Sequence, residues 1–296
     1  MHYHVVFINN SSHIKNFSIP ITHEEFEKIT KKKYPNIPKY CRRNYHPTRS
    51  IKYPIKKCYM KQTPSRIVVV TNFFTNKTKI NDVWRYNLVF DKNQNYYPRL
   101  LPFYASIQNP KINFIDQHPK LTTLPTIVII IESPHKAEYD NSGTLPLPLA
   151  PANGKTGKGI DNCLSIILND LRCRNKISLP PYNYSIIICN PVQYQTSLYH
   201  LTDDPSAKDL KNKIWTELFI HQSLNTDFIA RLKSYNPSLI INACTGGMNN
   251  GQPRGLKKLV DSAIRNEPSF QNKLNNNPNF IIYTTHPSYW DNFGLI

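Results

Sequence analysis

Four short aliphatic runs mark the second half of the chain, at 127–131, 184–189, 239–243 and 280–284. The first, Ile127-Val128-Ile129-Ile130-Ile131, is β-branched throughout. Uninterrupted apolar runs of this length and type predict strands buried on both faces. Between them the apolar positions change to a helical period, predicting helices over 160–171, 207–221, 227–235 and 256–265. Strand and helix in alternation imply a mostly parallel sheet with helices on both faces. The expected architecture is a three-layer α/β/α domain around a central, mostly parallel four-stranded sheet.

The first half is patterned differently. Residues 4–8, 66–71 and 84–90 read as strands. Residues 22–33 read as a helix, with Thr22 or His23 near its cap and Glu24, Glu25 and Glu27 in its first turn. Residues 108–124 contain prolines and asparagines and read as a linker. The expected division is therefore a basic N-terminal region, 1–120, and an α/β domain, 121–296.

Charge adds a partner to this picture. The chain has 296 residues and a formal net charge of +18, from 37 Lys and Arg against 19 Asp and Glu. Residues 1–120 alone hold 21 of the basic and 6 of the acidic residues. Such an excess points to a polyanion, nucleic acid first. Between 34 and 66, lysine and arginine interleave with tyrosine and proline, with Arg42 and Arg43 at the centre. Cations among aromatics suit a phosphate backbone and stacked bases; a solvated, proline-rich surface loop has the same composition. No zinc-finger, helix-turn-helix or RNP pattern is present.

No apolar run reaches membrane-spanning length, and the N-terminus lacks the pattern of a signal peptide. The six cysteines form no C-x-x-C pair, and Cys189 and Cys244 sit in apolar runs. Reduced thiols in a cytoplasmic protein are expected, with no disulfide frame and no metal site.

The candidate chemistry lies where the four runs end, which is where open α/β sheets place ligands. The endings are Glu132-Ser133-Pro134-His135, Asn190-Pro191, Thr245-Gly246-Gly247 and His286-Pro287-Ser288. A glycine-rich segment, Gly154-Lys155-Thr156-Gly157-Lys158-Gly159, opens the first helix of this half. It is not a phosphate loop of the G-x-x-x-x-G-K-[ST] kind, because Leu149 stands at the first glycine position and no strand leads into it. Backbone amides ahead of a helix still suit an anion such as a DNA phosphate.

Taken together, these endings resemble the uracil-DNA glycosylase superfamily over residues 121–296. Its first motif is Gly-Gln-Asp-Pro-Tyr or, in one branch, Gly-Glu-Ala-Pro-Gly, and Glu132-Ser133-Pro134-His135 is similar. In that branch a Pro-Phe-Val-Gly-Arg-Ala-Gly segment follows. Pro151-Ala152-Asn153-Gly154-Lys155-Thr156-Gly157 matches its proline and both glycines. The family's second strand ends in an asparagine, as Ile188-Cys189-Asn190 does, and its last strand ends in His-Pro-Ser, as His286-Pro287-Ser288 does.

The resemblance implies a DNA glycosylase that flips a base out of the helix, hydrolyses its N-glycosidic bond and leaves an abasic site. His286 would stabilise negative charge on the departing base. Glu132 would serve the sugar cation or the attacking water, with Glu138 and Asp140 as other possible carboxylates. Asn190 would read a pyrimidine edge. Ser133, at the position of the family's Asp or Asn, would stand with Glu132 and His286 among the catalytic residues, and His135, Ala152 and Asn153 would border the base. Lys155, Lys158, Ser288, Tyr289 and Trp290 would meet DNA; Tyr289 and Trp290 follow the His-Pro-Ser motif, and Trp290 stands at the offset of the family's apolar wedge that fills the gap left by the flipped base.

Departures from the family pattern sharpen this picture. Serine at 133 replaces the usual Asp or Asn. Ala152 replaces a stacking phenylalanine and His135 a pocket tyrosine. Tyr194 stands where the iron-sulfur branch has a cysteine, so neither cluster nor other cofactor is expected. Loss of the stacking ring suggests a base larger than uracil, such as a hypermodified or glucosylated cytosine, the substrate of an anti-phage member of the superfamily. Two rival readings remain at this stage: a non-catalytic nucleic-acid-binding protein on the same fold, and a hydrolase of nucleotides or small glycosides.

Overall fold

The structure is a computed structural model and describes residues 2–9, 14–33, 65–71, 73–75, 78–90, 96–100, 124–140, 147–177, 179–180, 182–197 and 208–292. Arg42 and Arg43, and most of the basic, tyrosine-rich stretch around them, lie outside the described residues. The described chain opens with β1 (His2–Ile8), β2 (Phe17–Ile21), α1 (His23–Lys33), β3 (Ser65–Thr71), β4 (Val83–Phe90), β5 (Tyr96–Leu100) and β6 (Thr126–Ile130). It continues with α2 (Lys155–Cys173), β7 (Tyr184–Cys189), α3 (Lys208–Thr216), α4 (Leu224–Tyr235), β8 (Pro237–Asn242), α5 (Gly255–Arg265), α6 (Pro268–Asn276) and β9 (Ile281–Tyr283). A π-helical turn, Glu217–His221, extends α3.

The fold is mixed α/β. Its central sheet has six strands in the order β9-β8-β6-β7-β4-β5. The four runs read from the sequence are the first four of these, and they are parallel to one another. Their register aligns Ile188, Ile129, Ile241 and Ile282 in one row across the sheet. That row packs in one core with Ile160, Leu164 and Leu168, which share a face of α2 at four-residue spacing. Val128, Ile130 and Ile240, on the opposite face, are also buried. Burial on both faces is what an unbroken aliphatic run demands; each such side chain contributes roughly 1.5–3 kcal/mol on leaving water.

The sheet also corrects the expected strand number and domain boundary. β4 pairs antiparallel with β7, and β5 antiparallel with β4, so a region assigned to the N-terminal extension completes the central sheet. The reason is local: Val83, Tyr86 and Leu88 present an apolar face to the common core. The chain divides into two compact units, neither of which is delimited at residue 120. One comprises Met1–Lys79, Asn141–Leu147 and Tyr194–Gln222; the other comprises Ile80–Asp140, Pro148–Gln193 and Ser223–Ile296.

The first unit is built on a three-stranded sheet, β2-β1-β3, in which β1 runs antiparallel to β2 and parallel to β3. Aromatic rings fill its core. Phe7 stacks on Phe17 at 4.8 Å, and Phe74 meets Tyr194 edge-on at 5.9 Å. Tyr194 is thus buried in this core. The second unit carries the central sheet and every described residue of the candidate site.

Candidate active site

The parallel strands bring their carboxyl ends to one edge of the sheet, and backbone bonds continue the ladders beyond the strands. Ile131 N–H donates to Cys189 O at 3.0 Å, Ala243 N–H to Ile130 O at 2.8 Å, and Thr284 N–H to Asn242 O at 3.3 Å. Val192 N–H reaches Glu132 O at 3.5 Å. Glu132 and Asn190 therefore follow neighbouring strands. His286 follows β9, two places from β6, or about 10 Å along the edge at the usual strand spacing. Glu132 and Asn190 are both buried.

Asn190 is held by its backbone. Its N–H donates to Asp82 Oδ1 at 3.1 Å, and its carbonyl accepts from Arg231 Nη2 at 3.1 Å. Asp82 also accepts from Gln193 Nε2 at 3.1 Å and from the Tyr235 hydroxyl at 2.9 Å, and it pairs with Arg231 Nη1. The side-chain amide of Asn190 is different: neither Oδ1 nor Nδ2 has a hydrogen-bond partner among the described residues. A fully buried amide with its backbone clamped and its donor and acceptor unused is costly to fold. It is also the arrangement that a complementary donor–acceptor edge would satisfy. Neither Asp82 nor Arg231 was suggested by the sequence. The first precedes a strand in the half that reads as an extension, and the two lie far apart along the chain.

His286 is half-buried, and its orientation follows from Ser288. The Ser288 N–H points at Nδ1 from 3.4 Å, and the Ser288 hydroxyl lies 2.9 Å from the same atom. A backbone N–H can only donate, so Nδ1 is the acceptor and the neutral ring carries its proton on Nε2. Trp290 Nε1 donates to Thr285 O at 2.9 Å and fixes the turn from its other side.

The glycine-rich segment is tied to the first motif by Glu138. One carboxylate oxygen accepts from Ala152 N–H at 2.9 Å and the other from His135 N–H at 3.3 Å. Burial pushes the Glu138 carboxyl up to about 8, against the opposing pull of those two donors and of Arg85. Arg85, itself buried, reaches Pro151 O at 3.4 Å and Asp161 at 3.6 Å. Ala152 adopts a left-handed backbone, with φ of 59°, and is completely buried. Its side chain belongs to the main apolar core, and its N–H is engaged by Glu138.

Two glycines of α2 allow the segments to meet. A Cβ on Gly157 would lie 1.8 Å from Ala152 O, and one on Gly159 would lie 2.0 Å from Pro287 O. α2 thus starts against the turn that carries His286. Around its first turn, Lys155 and Lys158 are exposed, and Lys155 Nζ lies 5.7 Å from the centre of the Tyr289 ring. His135 and Tyr289 are also exposed; Ser133, Asn153 and Ser288 are half-buried. Asn153 Nδ2 donates to Ala137 O at 3.4 Å. Trp290 is buried in the main core, so Tyr289 is the accessible member of that aromatic pair.

The edge therefore combines a carboxylate, an amide with unused hydrogen bonds, an oriented imidazole and a basic, aromatic rim. Among the described residues no cluster of His, Cys, Asp or Glu could hold a metal ion, and no helix is long and apolar enough to cross a membrane. Comparison with protein-family models, curated proteins and solved structures finds no match to this chain.

Proposed function

We propose that the protein is a monofunctional DNA glycosylase that removes a modified pyrimidine, with a three-layer sheet domain of the uracil-DNA glycosylase kind. The observation that carries this reading is the Asn190 amide, buried, clamped through its backbone and unused by the described chain. Its donor and acceptor match a pyrimidine edge.

In this reading a flipped nucleotide enters at the sheet edge and Asn190 holds its base. The bond from the sugar C1′ to the base nitrogen breaks, and its electron pair leaves with the base. The Nε2 proton of His286 offers a hydrogen bond to the base oxygen that gains charge. Water attacks C1′, and Glu132 stabilises the sugar cation or accepts the water proton. Lys155, Lys158 and the amides opening α2 hold phosphates, while Tyr289, rather than the buried Trp290, fills the vacated stack. The absence of a stacking ring at 152 favours a base larger than uracil, with glucosylated hydroxymethylcytosine as the proposed type.

The test incubates the full chain with plain, uracil-containing and hypermodified phage DNA, then applies alkali cleavage and weighs the released base. Release from hypermodified DNA by the wild type, lost in Asn190→Ala, His286→Ala and Glu132→Ala, is the expected result. Efficient cutting of uracil DNA alone would refute the large-base assignment. DNA binding with no base released from any substrate would leave a non-catalytic binder.

A further inference from the structure

A second feature of the sheet unit has no part in that chemistry. A cavity of about 700 Å³ runs along the outer side of β9, between α2 and α5, and its lining includes Lys257, Thr284, Tyr283 and Trp290. None of Glu132, Asn190 and His286 lines it.

Lys257 is 2% exposed. Its Nζ donates to the carbonyl of Thr284 at 2.6 Å, and no carboxylate pairs with it among the described residues. Asp261, one helical turn away, is engaged by Arg265 at 3.0 Å. A buried ammonium with only a neutral acceptor is a costly arrangement, which an anion in the adjoining cavity would relieve. Beside it, the hydroxyl oxygen of Thr284 is buried without a hydrogen-bond partner. Burial lowers the Lys257 pKa, with the nearby Cys244 opposing the shift, as expected for a cation without a counter-charge.

The rest of the lining narrows the ligand. Arg174, Lys176 and Arg265 join Lys257 in the lining. Arg174 is already paired with Asp170 at 2.9 Å and Arg265 with Asp261 at 3.0 Å, which leaves Lys257 and Lys176 as the two cations with no carboxylate on them among the described residues. This balance favours a dianion over a monocarboxylate. The rest of the lining is mostly apolar, including Ile282, Tyr283 and Trp290, with Asn279 and Thr285 as polar exceptions. A volume of this order holds a small organic ligand.

We propose that this cavity binds a phosphomonoester with an aromatic body, of the nucleoside monophosphate type, its phosphate on Lys257 and the Thr284 hydroxyl and its ring against the apolar wall. The phosphomonoester comes either from a free nucleotide or from the 5′ end of a strand.

Calorimetric titration of the full chain tests this with four probes: nucleoside 5′-monophosphates, the parent nucleosides, inorganic phosphate and a 5′-phosphorylated dinucleotide. The monophosphates should bind at least tenfold more tightly than either nucleosides or phosphate. Binding should weaken at least tenfold in Lys257→Met and to a smaller extent in Thr284→Val, with base release at the sheet edge unchanged. A dinucleotide bound as tightly as the mononucleotide assigns the site to strand ends; preference for the mononucleotide assigns it to free nucleotide. Should Lys257→Met fail to fold, Thr284→Val and the exposed Lys176→Ala decide the matter, each being expected to weaken binding. No binding of any monophosphate at millimolar concentration, or equal binding by wild type and folded variants, overturns the proposal. Equal affinity for inorganic phosphate overturns the aromatic part of it.

Discussion

Asn190 and Glu138 show two ways in which a buried polar side chain serves a site. The Asn190 amide contributes no hydrogen bond to the described fold, while its backbone is held by Asp82 and Arg231. Replacing it by an apolar residue of similar shape should therefore cost little stability or even increase it. Asn190→Leu is expected to unfold within about 1 kcal/mol of the wild type and to lose base release at least 100-fold. Denaturant melts and the release assay check the two halves separately. Glu138 does the opposite, bonding two loops and titrating as it does so. Its folded pKa of about 8 lies above its ordinary value of 4.5, so the folded state binds more protons between those limits. Stability from this group is full below the lower value and declines as pH rises through the higher one, at up to about 1.4 kcal/mol per pH unit. Glu138→Gln keeps an acceptor but does not titrate. Melts across this range should show a shallower decline for the variant than for the wild type; parallel curves would remove Glu138 as the source.

At the scale of elements, close approach is what holds the site together. Gly159 of α2 touches the backbone of Pro287, so Gly159→Ala must push α2 away from the His286 turn. Overpacking of this kind costs roughly 1–3 kcal/mol, and base release should fall further than stability alone explains. Gly247 has nothing within 4 Å of its would-be Cβ, so Gly247→Ala serves as the tolerated control. Asp82 ties the start of β4 to the end of β7 and, through Arg231 and Tyr235, to α4. Asp82→Ala unpairs the Asn190 N–H, Gln193 and the Tyr235 hydroxyl and leaves the half-buried Arg231 with Asp227 as its carboxylate. It should cost about 1–3 kcal/mol, measurable by chemical unfolding. The four parallel strands were readable in the chain because aliphatic, β-branched runs have no other comfortable place than a doubly covered sheet. β2, β5 and α6 were not. β5 contains Pro98, which weakens any strand reading, and β2 is a polar-apolar alternation only five residues long. α6 follows α5 so closely that one pattern runs into the next, with Pro268 the only punctuation.

For the whole molecule, the decisive fact is that neither compact unit is a continuous piece of chain. A fragment of residues 121–296, the natural choice from composition, lacks β4 and β5 and strips β7 of one of its two neighbours. It also takes Tyr194 and α3 away from the strands of the first unit. This fragment should be unfolded or aggregated by circular dichroism and proteolysis, whereas the full chain should resist both. A cooperatively folded fragment would contradict the division described above. The net charge of +18 belongs to this scale as well. If DNA is the partner, the logarithm of the association constant should fall linearly with that of salt, by about 0.9 for each phosphate neutralised on duplex DNA. Filter binding across a salt series would measure the slope.

From the chain alone came the class of the fold, the four parallel strands and the short motifs at their ends. These depend on local periodicity and on which residue types tolerate burial, properties that each segment carries with it. The extra strands, the clamp on Asn190 by Asp82 and Arg231, the proton position on His286 and the buried Lys257 were decided only by the tertiary structure. Most of these are relations between residues distant in sequence, the His286 contact with Ser288 being a local one that depends on the turn's geometry; and a charged side chain looks the same in the sequence whether it ends in solvent or beneath a sheet.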